Sequence, residues 1–169
     1  MSGIDRNTGN FKRALPNLHR ALELFQETGD REKIADVYFT MGTLYWDYSE
    51  FPRSLDYFLK AGAIYRHLNN TYGLAEVAKN RGIIYYAMRD WNESLRHYRE
   101  AGKLYEKLGN RLGKSKIMHN IAMVYEYQHL LRILSDRGKE LHLMFSIGKD
   151  QVRGAHTQEE TINLYIYIS

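Results

Sequence analysis

Written in rows of forty residues from Phe11, the chain falls into register with itself three times. Phe11, Phe51 and Trp91 share a column, as do Leu15, Leu55 and Leu95; Leu18, Phe58 and Tyr98; Ala21, Ala61 and Ala101; Gly42, Gly82 and Ala122; and Tyr45, Tyr85 and Tyr125. A fixed period of this size, filled with helix formers, restricts the chain to stacked units that bury their apolar faces only against their neighbours. Folds of that kind present extended binding surfaces, so the repeat indicates a class of work without naming a partner.

Within each row the apolar residues step by three or four, the spacing that lines one side of an α-helix. Phe51, Leu55, Phe58, Ala61, Ile64, Tyr65 and Leu68 follow it, as do Phe11, Leu15, Leu18, Ala21, Leu24 and Phe25, and Trp91, Leu95, Tyr98, Ala101, Leu104, Tyr105 and Leu108. These runs predict helices over 11–28, 51–68 and 91–108. Each ends in a polar break, Thr28-Gly29-Asp30, Asn69-Asn70 or Gly109-Asn110, where glycine or asparagine adopts the left-handed conformation that closes a helix. Turns this short force antiparallel neighbours, predicted over 31–48, 71–88 and 111–128. Their packing faces carry Ala35, Tyr38, Gly42 and Tyr45; Ala75, Ala78, Gly82 and Tyr85; and Ser115, Met118, Ala122 and Tyr125. Glycine inside a helix costs about 0.5–1 kcal/mol relative to alanine, so its recurrence points to a close crossing of helix axes at Gly42, Gly82 and Ala122, with Ala21, Ala61 and Ala101 expected to do the same on the other helix.

These columns resemble the tetratricopeptide repeat over residues 10–130. That pattern sets a small residue three before a tyrosine in the first helix, met by Gly42 and Tyr45, Gly82 and Tyr85, and Ala122 and Tyr125. An aromatic follows the turn at Phe51 and Trp91, and a small–aromatic–alanine series follows at Ser54, Phe58 and Ala61, then Ser94, Tyr98 and Ala101. The typical repeat spans about 34 residues, so a period of forty lengthens each helix by nearly a turn. It is similar to the variants in kinesin light chain, cell-polarity adaptors and bacterial peptide-sensing regulators, all binding scaffolds. The resemblance implies an all-α, right-handed superhelical α-solenoid of antiparallel helix pairs, with about eight helices in one domain spanning residues 1–169. Residues 1–10 are expected as a tail and 11–130 as regular repeats. From Leu131 the register drifts: Gly138 stands in an aromatic column and Leu141 in an alanine column. Helices over 131–146 and 155–167, separated by a turn at Ile147-Gly148, are expected to form a degenerate repeat or cap, with Tyr165 back in the tyrosine column.

In this family the first helices of successive units line the concave side and touch ligand. The resemblance places a peptide-binding groove on Phe39, Thr40, Thr43, Trp46 and Asp47; Glu76, Lys79, Asn80, Ile83 and Tyr86; and Lys116, His119, Asn120, Met123, Glu126 and Tyr127. Asn80 and Asn120 are equivalent, and a carboxamide both donates to and accepts from one peptide group, gripping main chain without reading sequence. Trp46, Tyr86, Met123 and Tyr127 supply apolar contact area. Lys79, Lys116 and His119 make the middle of the groove basic, offset by Glu76 and Glu126, which favours an acidic segment. A clamp for a terminal carboxylate is disfavoured, because Phe39, Thr43 and Asn120 stand where basic and amide groups are required.

Other classes find little support. The 169 residues include no cysteine, excluding a disulfide framework, thiolate catalysis and cysteine-ligated zinc. Gly109 to Ser115 resembles a phosphate loop, but it is one residue short and lies between helices instead of after a strand. Histidines 19, 67, 97, 119, 129, 142 and 156 form no metal-ligand spacing and are read as surface or rim residues. No catalytic group, metal or cofactor is expected. The start lacks the apolar core of a signal peptide, and no run approaches the roughly 18 apolar residues of a membrane span, so the chain is expected to be cytoplasmic. The net charge of +4 comes from 24 basic and 20 acidic side chains interspersed along the chain, an arrangement that argues against a nucleic-acid-binding solenoid. The remaining rival is a structural module, or a fragment of a larger signalling protein, that self-associates through exposed terminal helices.

Overall fold

The computed structural model describes residues 4–154, with side chains over 11–140 and 142–144. Six helices follow one another: α1 (Ile4–Thr28), α2 (Arg31–Asp47), α3 (Phe51–His67), α4 (Thr71–Ala87), α5 (Trp91–Lys107) and α6 (Arg111–Gly154). No strand occurs among the described residues. The chain divides into two compact units, Met1–Val124 and Tyr125–Ser169.

In the first unit the turns follow one plan. Gly29, Ser49, Asn69, Arg89 and Gly109 each take a positive φ, between 53° and 70°. The next amide donates five residues back, as from Asn70 to the Tyr65 carbonyl at 2.8 Å and from Asp90 to the Tyr85 carbonyl at 2.9 Å, satisfying carbonyls the helix end would leave bare. At four of the five turns the same residue caps the following helix: the Asp30, Asn70, Asp90 and Asn110 side chains accept from the amides of Lys33, Gly73, Glu93 and Gly113, whereas Glu50 before α3 makes no such bond. Gly29, Asn69 and Gly109 are the turn residues the sequence pointed to, whereas Ser49 and Arg89 bear the left-handed backbone without that advantage.

α2 packs on α3 and α4 on α5 as antiparallel pairs. The Ser54 hydroxyl donates to the Gly42 carbonyl at 2.6 Å, and the Tyr65 hydroxyl donates to Asp36 Oδ1 at 2.6 Å, so the far end of α3 lies beside the start of α2. The close crossings expected at Gly42 and Gly82 are present, whereas the one expected at Ala122 is not formed, since Ala122 is exposed. A Cβ on Gly42 would stand 3.0 Å from the Phe58 ring, and one on Gly82 would stand 2.5 Å from the Tyr98 ring. Gly73 and Gly113 serve likewise beneath Tyr65 and Tyr105. Two apolar clusters result, Ala35, Phe58, Ala61, Tyr65, Val77 and Ile84 in one, and Ala75, Ala78, Leu95, Tyr98, Ala101, Tyr105, Ile117 and Val124 in the other. Because α4 contributes to both, its burial ties one pair to the next. Each fully buried side chain of the size of Phe58 or Ile84 contributes about 1.5–3 kcal/mol.

Several expectations need correction. Helix α1 begins at Ile4, where a tail over 1–10 was expected, and it runs through Pro16, which forgoes one main-chain donor. Helices expected over 111–128 and 131–146 are one helix, α6, which also continues through Ile147-Gly148, so the described residues hold six helices, against about eight expected for the whole chain. The columns depart from the pattern at this place: Leu130 stands where Asp90 caps α5, and Leu134 stands where Ser54 and Ser94 lock onto the preceding helix. The expected packing face of Ser115, Met118, Ala122 and Tyr125 is accordingly exposed, with Tyr125 at 48% against 5% for Tyr45. Leu24, Leu68 and Leu108, read as part of the apolar stripe, are exposed at or near the ends of their helices. His97, read as a surface residue, is fully buried. It occupies the column of Tyr57 and fills the same flat slot: His97 stacks on Tyr85 at 5.3 Å as Tyr57 stacks on Tyr45 at 5.3 Å. The helix expected over 155–167, with Tyr165, lies outside the described residues.

In the second unit the described part is the remainder of α6, a helix with exposed Leu130, Leu131, Ile133, Leu134, Leu143 and Met144.

Candidate ligand-binding face

The expected contact residues sit on α2, α4 and α6, the first helices of their units. On α2, Phe39 packs edge-on against Phe58 at 5.2 Å, and Trp46 leans on Phe51 at 5.4 Å. Both belong to the margin of the first apolar cluster. Thr40 and Thr43 hydroxyls donate to the carbonyls of Asp36 and Phe39, four residues back, at 2.8 Å and 3.2 Å. Asp47 is exposed.

Helix α4 repeats the arrangement. Tyr86 packs edge-on against Trp91 at 5.6 Å, in the same columns as Trp46 and Phe51, and Ile83 borders the second cluster beside it. The Asn80 amide donates to the Glu76 carbonyl at 2.8 Å. Lys79 is held by Glu76 in a half-buried ion pair, and the same carboxylate accepts from the Tyr105 hydroxyl. Burial pushes the Glu76 carboxyl up, but hydrogen bonds from Lys79 and Tyr105 and the charges of Lys79 and Lys116 outweigh it, holding the group below its usual value. The positive charge of Lys79 is therefore largely neutralised within α4. The basic character expected of this face rests on Lys116 and His119, both exposed on α6. Asn120 is half-buried and Met123 exposed on the same helix, while Tyr127, half-buried, and Glu126, exposed, belong to the second unit.

Two features escaped sequence reasoning. The first is a repeated tyrosine–carboxylate link: Tyr65 to Asp36 and Tyr105 to Glu76, each spanning 29 residues. Burial and the neighbouring carboxylate both push these phenols well above their ordinary range. The matching acid and tyrosine columns were the available signal. The second is the surroundings of His97. Arg96 Nη2 lies 2.9 Å from its Nε2; a guanidinium only donates, so Nε2 accepts and Nδ1 carries the proton. Nδ1 points towards Glu100 Oε2 at 3.4 Å, within ion-pair range but without a well-formed hydrogen bond. That contact, then burial acting the other way, leaves the Glu100 carboxyl below its usual value. This is a structural cluster on the α5 side, away from the residues named above on α2 and α4.

Among the described residues no three His, Asp or Glu side chains are grouped to hold a metal ion, and no helix is long and apolar enough to cross a membrane. No curated protein sequence matches the chain. Among solved structures, the crystal structure of BtubC (BKLC) from P. vanneervenii is similar, with a TM-score of 0.51 and 17% identity. The match covers 72% of this chain and 59% of that one, and at this identity it speaks for the fold alone. The family model described as Tetratricopeptide repeat matches residues 1–67 and 73–132. With paired helices repeating every forty residues and that match across most of its length, the chain belongs to the tetratricopeptide repeat family.

Proposed function

We propose that the chain is a non-catalytic cytoplasmic scaffold that binds an extended protein or peptide segment along α2, α4 and the first part of α6. Repeats of this family generally mediate protein–protein interaction, and in this reading the pairs stack as a right-handed solenoid with those helices on its concave side. The observation that carries the reading is the recurrence of one surface at a spacing of forty. Trp46 braced on Phe51 is repeated by Tyr86 braced on Trp91, with Asn80 and Asn120 at equivalent positions. Braced aromatic rings lose little entropy when a ligand covers them, which is why such rings serve as binding anchors. Asn80 uses one N–H on its own helix, leaving its carbonyl oxygen and second N–H to pair with one peptide group.

The contact set is Phe39, Thr40, Thr43, Trp46, Lys79, Asn80, Ile83, Tyr86, Lys116, His119, Asn120 and Met123, all in the first unit. Exposed Lys116 and His119 favour a segment carrying acidic residues. The test is a peptide selected from a displayed library on the parent chain, then measured against an Asn80→Ala, Asn120→Ala double variant. Two lost hydrogen bonds at each asparagine, about 0.5–1.5 kcal/mol apiece, correspond to a loss of roughly thirtyfold or more in affinity. Equal affinity for parent and variant would reject the assignment.

A further inference from the structure

Helix α1 is spaced like α3 and α5, the second helices of their pairs, whereas α6 as far as Val124 is spaced like α2 and α4, the first helices. Each leaves open the side on which its counterparts are closed. On α6, Met118 is 62% exposed where Ala78 on α4 is 3%, and Lys116 and Ala122 are exposed with it. On α1, Ala14, Leu18, Ala21 and Phe25 are all half-buried, whereas Ser54, Phe58, Ala61 and Tyr65, their counterparts on α3, are buried.

The two open sides differ from the closed pairs in matching ways. In the closed pairs Phe58 lies on Gly42 and Tyr98 on Gly82, and a Cβ there would stand 3.0 Å and 2.5 Å from the rings. In the open columns the residues are Leu18 and Ala122, so a methyl gained on one side faces a ring lost on the other. In the closed pairs the Tyr65 and Tyr105 hydroxyls donate to Asp36 and Glu76. The open columns hold Phe25 and Lys116, so the hydroxyl and its acceptor disappear together. An ammonium over a phenyl face is a favourable replacement. Lys33 Nζ already lies over the Phe25 ring at 5.3 Å, an instance of that contact within one molecule. Ala14, facing Ala122, keeps the small volume that Ser54 and Ser94 provide.

We propose that the open side of α1 in one copy docks on the Lys116–Met118–Ala122 side of α6 in a second copy, completing between molecules a helix pair of the kind that α2–α3 and α4–α5 form within one. The two faces differ, so the contact is heterologous: it propagates head to tail, or closes into a ring, and does not stop at a symmetric dimer. This contact uses the pair-forming sides of α1 and α6; it shares Lys116 with the peptide-binding residues and leaves those of α2 and α4 free.

The absence of cysteine from the chain makes the test direct. Full-length Leu18→Cys and Ala122→Cys variants are oxidised separately and as an equimolar mixture, alongside sedimentation of the parent and of Met118→Glu, a change at an exposed site that leaves the fold intact. The expected results are a disulfide-linked species that predominates only in the mixture, a parent mass that rises with concentration, and no such rise for Met118→Glu. A parent that stays monomeric at its highest soluble concentration overturns the proposal. So do homodisulfides that form as readily in the separate samples, or an association that Met118→Glu leaves unchanged.

Discussion

The Ser94 hydroxyl donates to the carbonyl of Gly82 across the α4–α5 pair at 2.9 Å, and both residues are buried. The Ser54–Gly42 bond repeats it in the α2–α3 pair. A carbonyl in mid-helix already accepts one amide, so the serine uses its second lone pair and fixes how far one helix slides along the other. We expect Ser94→Ala to cost about 1 kcal/mol, the net worth of one buried hydrogen bond. Thermal or urea unfolding measures it, and an unchanged midpoint would show that the bond contributes nothing to pairing.

The same pairs respond unequally to an added methyl. A Cβ on Gly82 meets the buried Tyr98 ring at 2.5 Å, whereas on Gly42 the nearest Phe58 carbon is at 3.0 Å. Gly82→Ala is expected to destabilise by about 1–3 kcal/mol through overpacking, and Gly42→Ala by less. Gly82→Ala combined with Tyr98→Leu, which imitates the Ala122 and Leu18 columns, is expected to recover part of the loss. A double variant no more stable than Gly82→Ala alone would contradict this account of the crossing.

How much of this was legible follows from which interactions leave a periodic trace. The pairing of α2 with α3 and α4 with α5 is written in columns such as Gly42, Gly82 and Phe58, Tyr98, because steric contacts between repeats force the same sizes at the same spacing. The turns at Gly29, Asn69 and Gly109 are legible for the same reason. The continuity of α6 is not legible in the columns, because the register drift after Leu131 looks the same as a weak repeat. The departures from the pattern are single residues, Leu130 in the capping column and Leu134 in the serine column. The links from Tyr65 to Asp36 and from Tyr105 to Glu76 were missed because their partners lie 29 residues apart and belong to columns that read separately as core and surface. On the ligand face, the sequence shows which residues share a helix side, but the ion pair that ties Lys79 to Glu76 depends on side-chain geometry.

Acid should unfold the chain partly through Glu76. Its folded value lies below the ordinary 4.5, so its contribution is fully present above that value and is lost as pH falls through the folded one. Glu76→Gln is expected to flatten the stability profile below about pH 4.5 and to lower stability at neutral pH, where Tyr105 and Lys79 lose a charged partner. Denaturant midpoints across the acid range check both effects. A profile parallel to the parent's would assign the acid transition to other carboxylates.

Alkali acts through the buried phenols with the opposite sign. Burial raises Tyr98 to about 12, and burial with a nearby carboxylate raises Tyr65 and Tyr105 further. Groups raised in the folded state lend stability that is complete below the unfolded value near 10 and lost as pH climbs towards the folded values. Melting temperatures should fall steeply above about pH 10, and a Tyr65→Phe, Tyr105→Phe variant, less stable at neutral pH, should fall less steeply.

The central claim is that ligand lies along α2, α4 and the first part of α6, and site-resolved photocrosslinking tests it most directly. A photoreactive side chain is placed in turn at Thr43, Lys79 and Asn120, and as controls at the exposed Lys60 on α3 and Lys103 on α5. A library-selected peptide is expected to crosslink at the first three positions and at neither control. Capture at Lys60 and Lys103 with none at Thr43, Lys79 and Asn120 would contradict the claim.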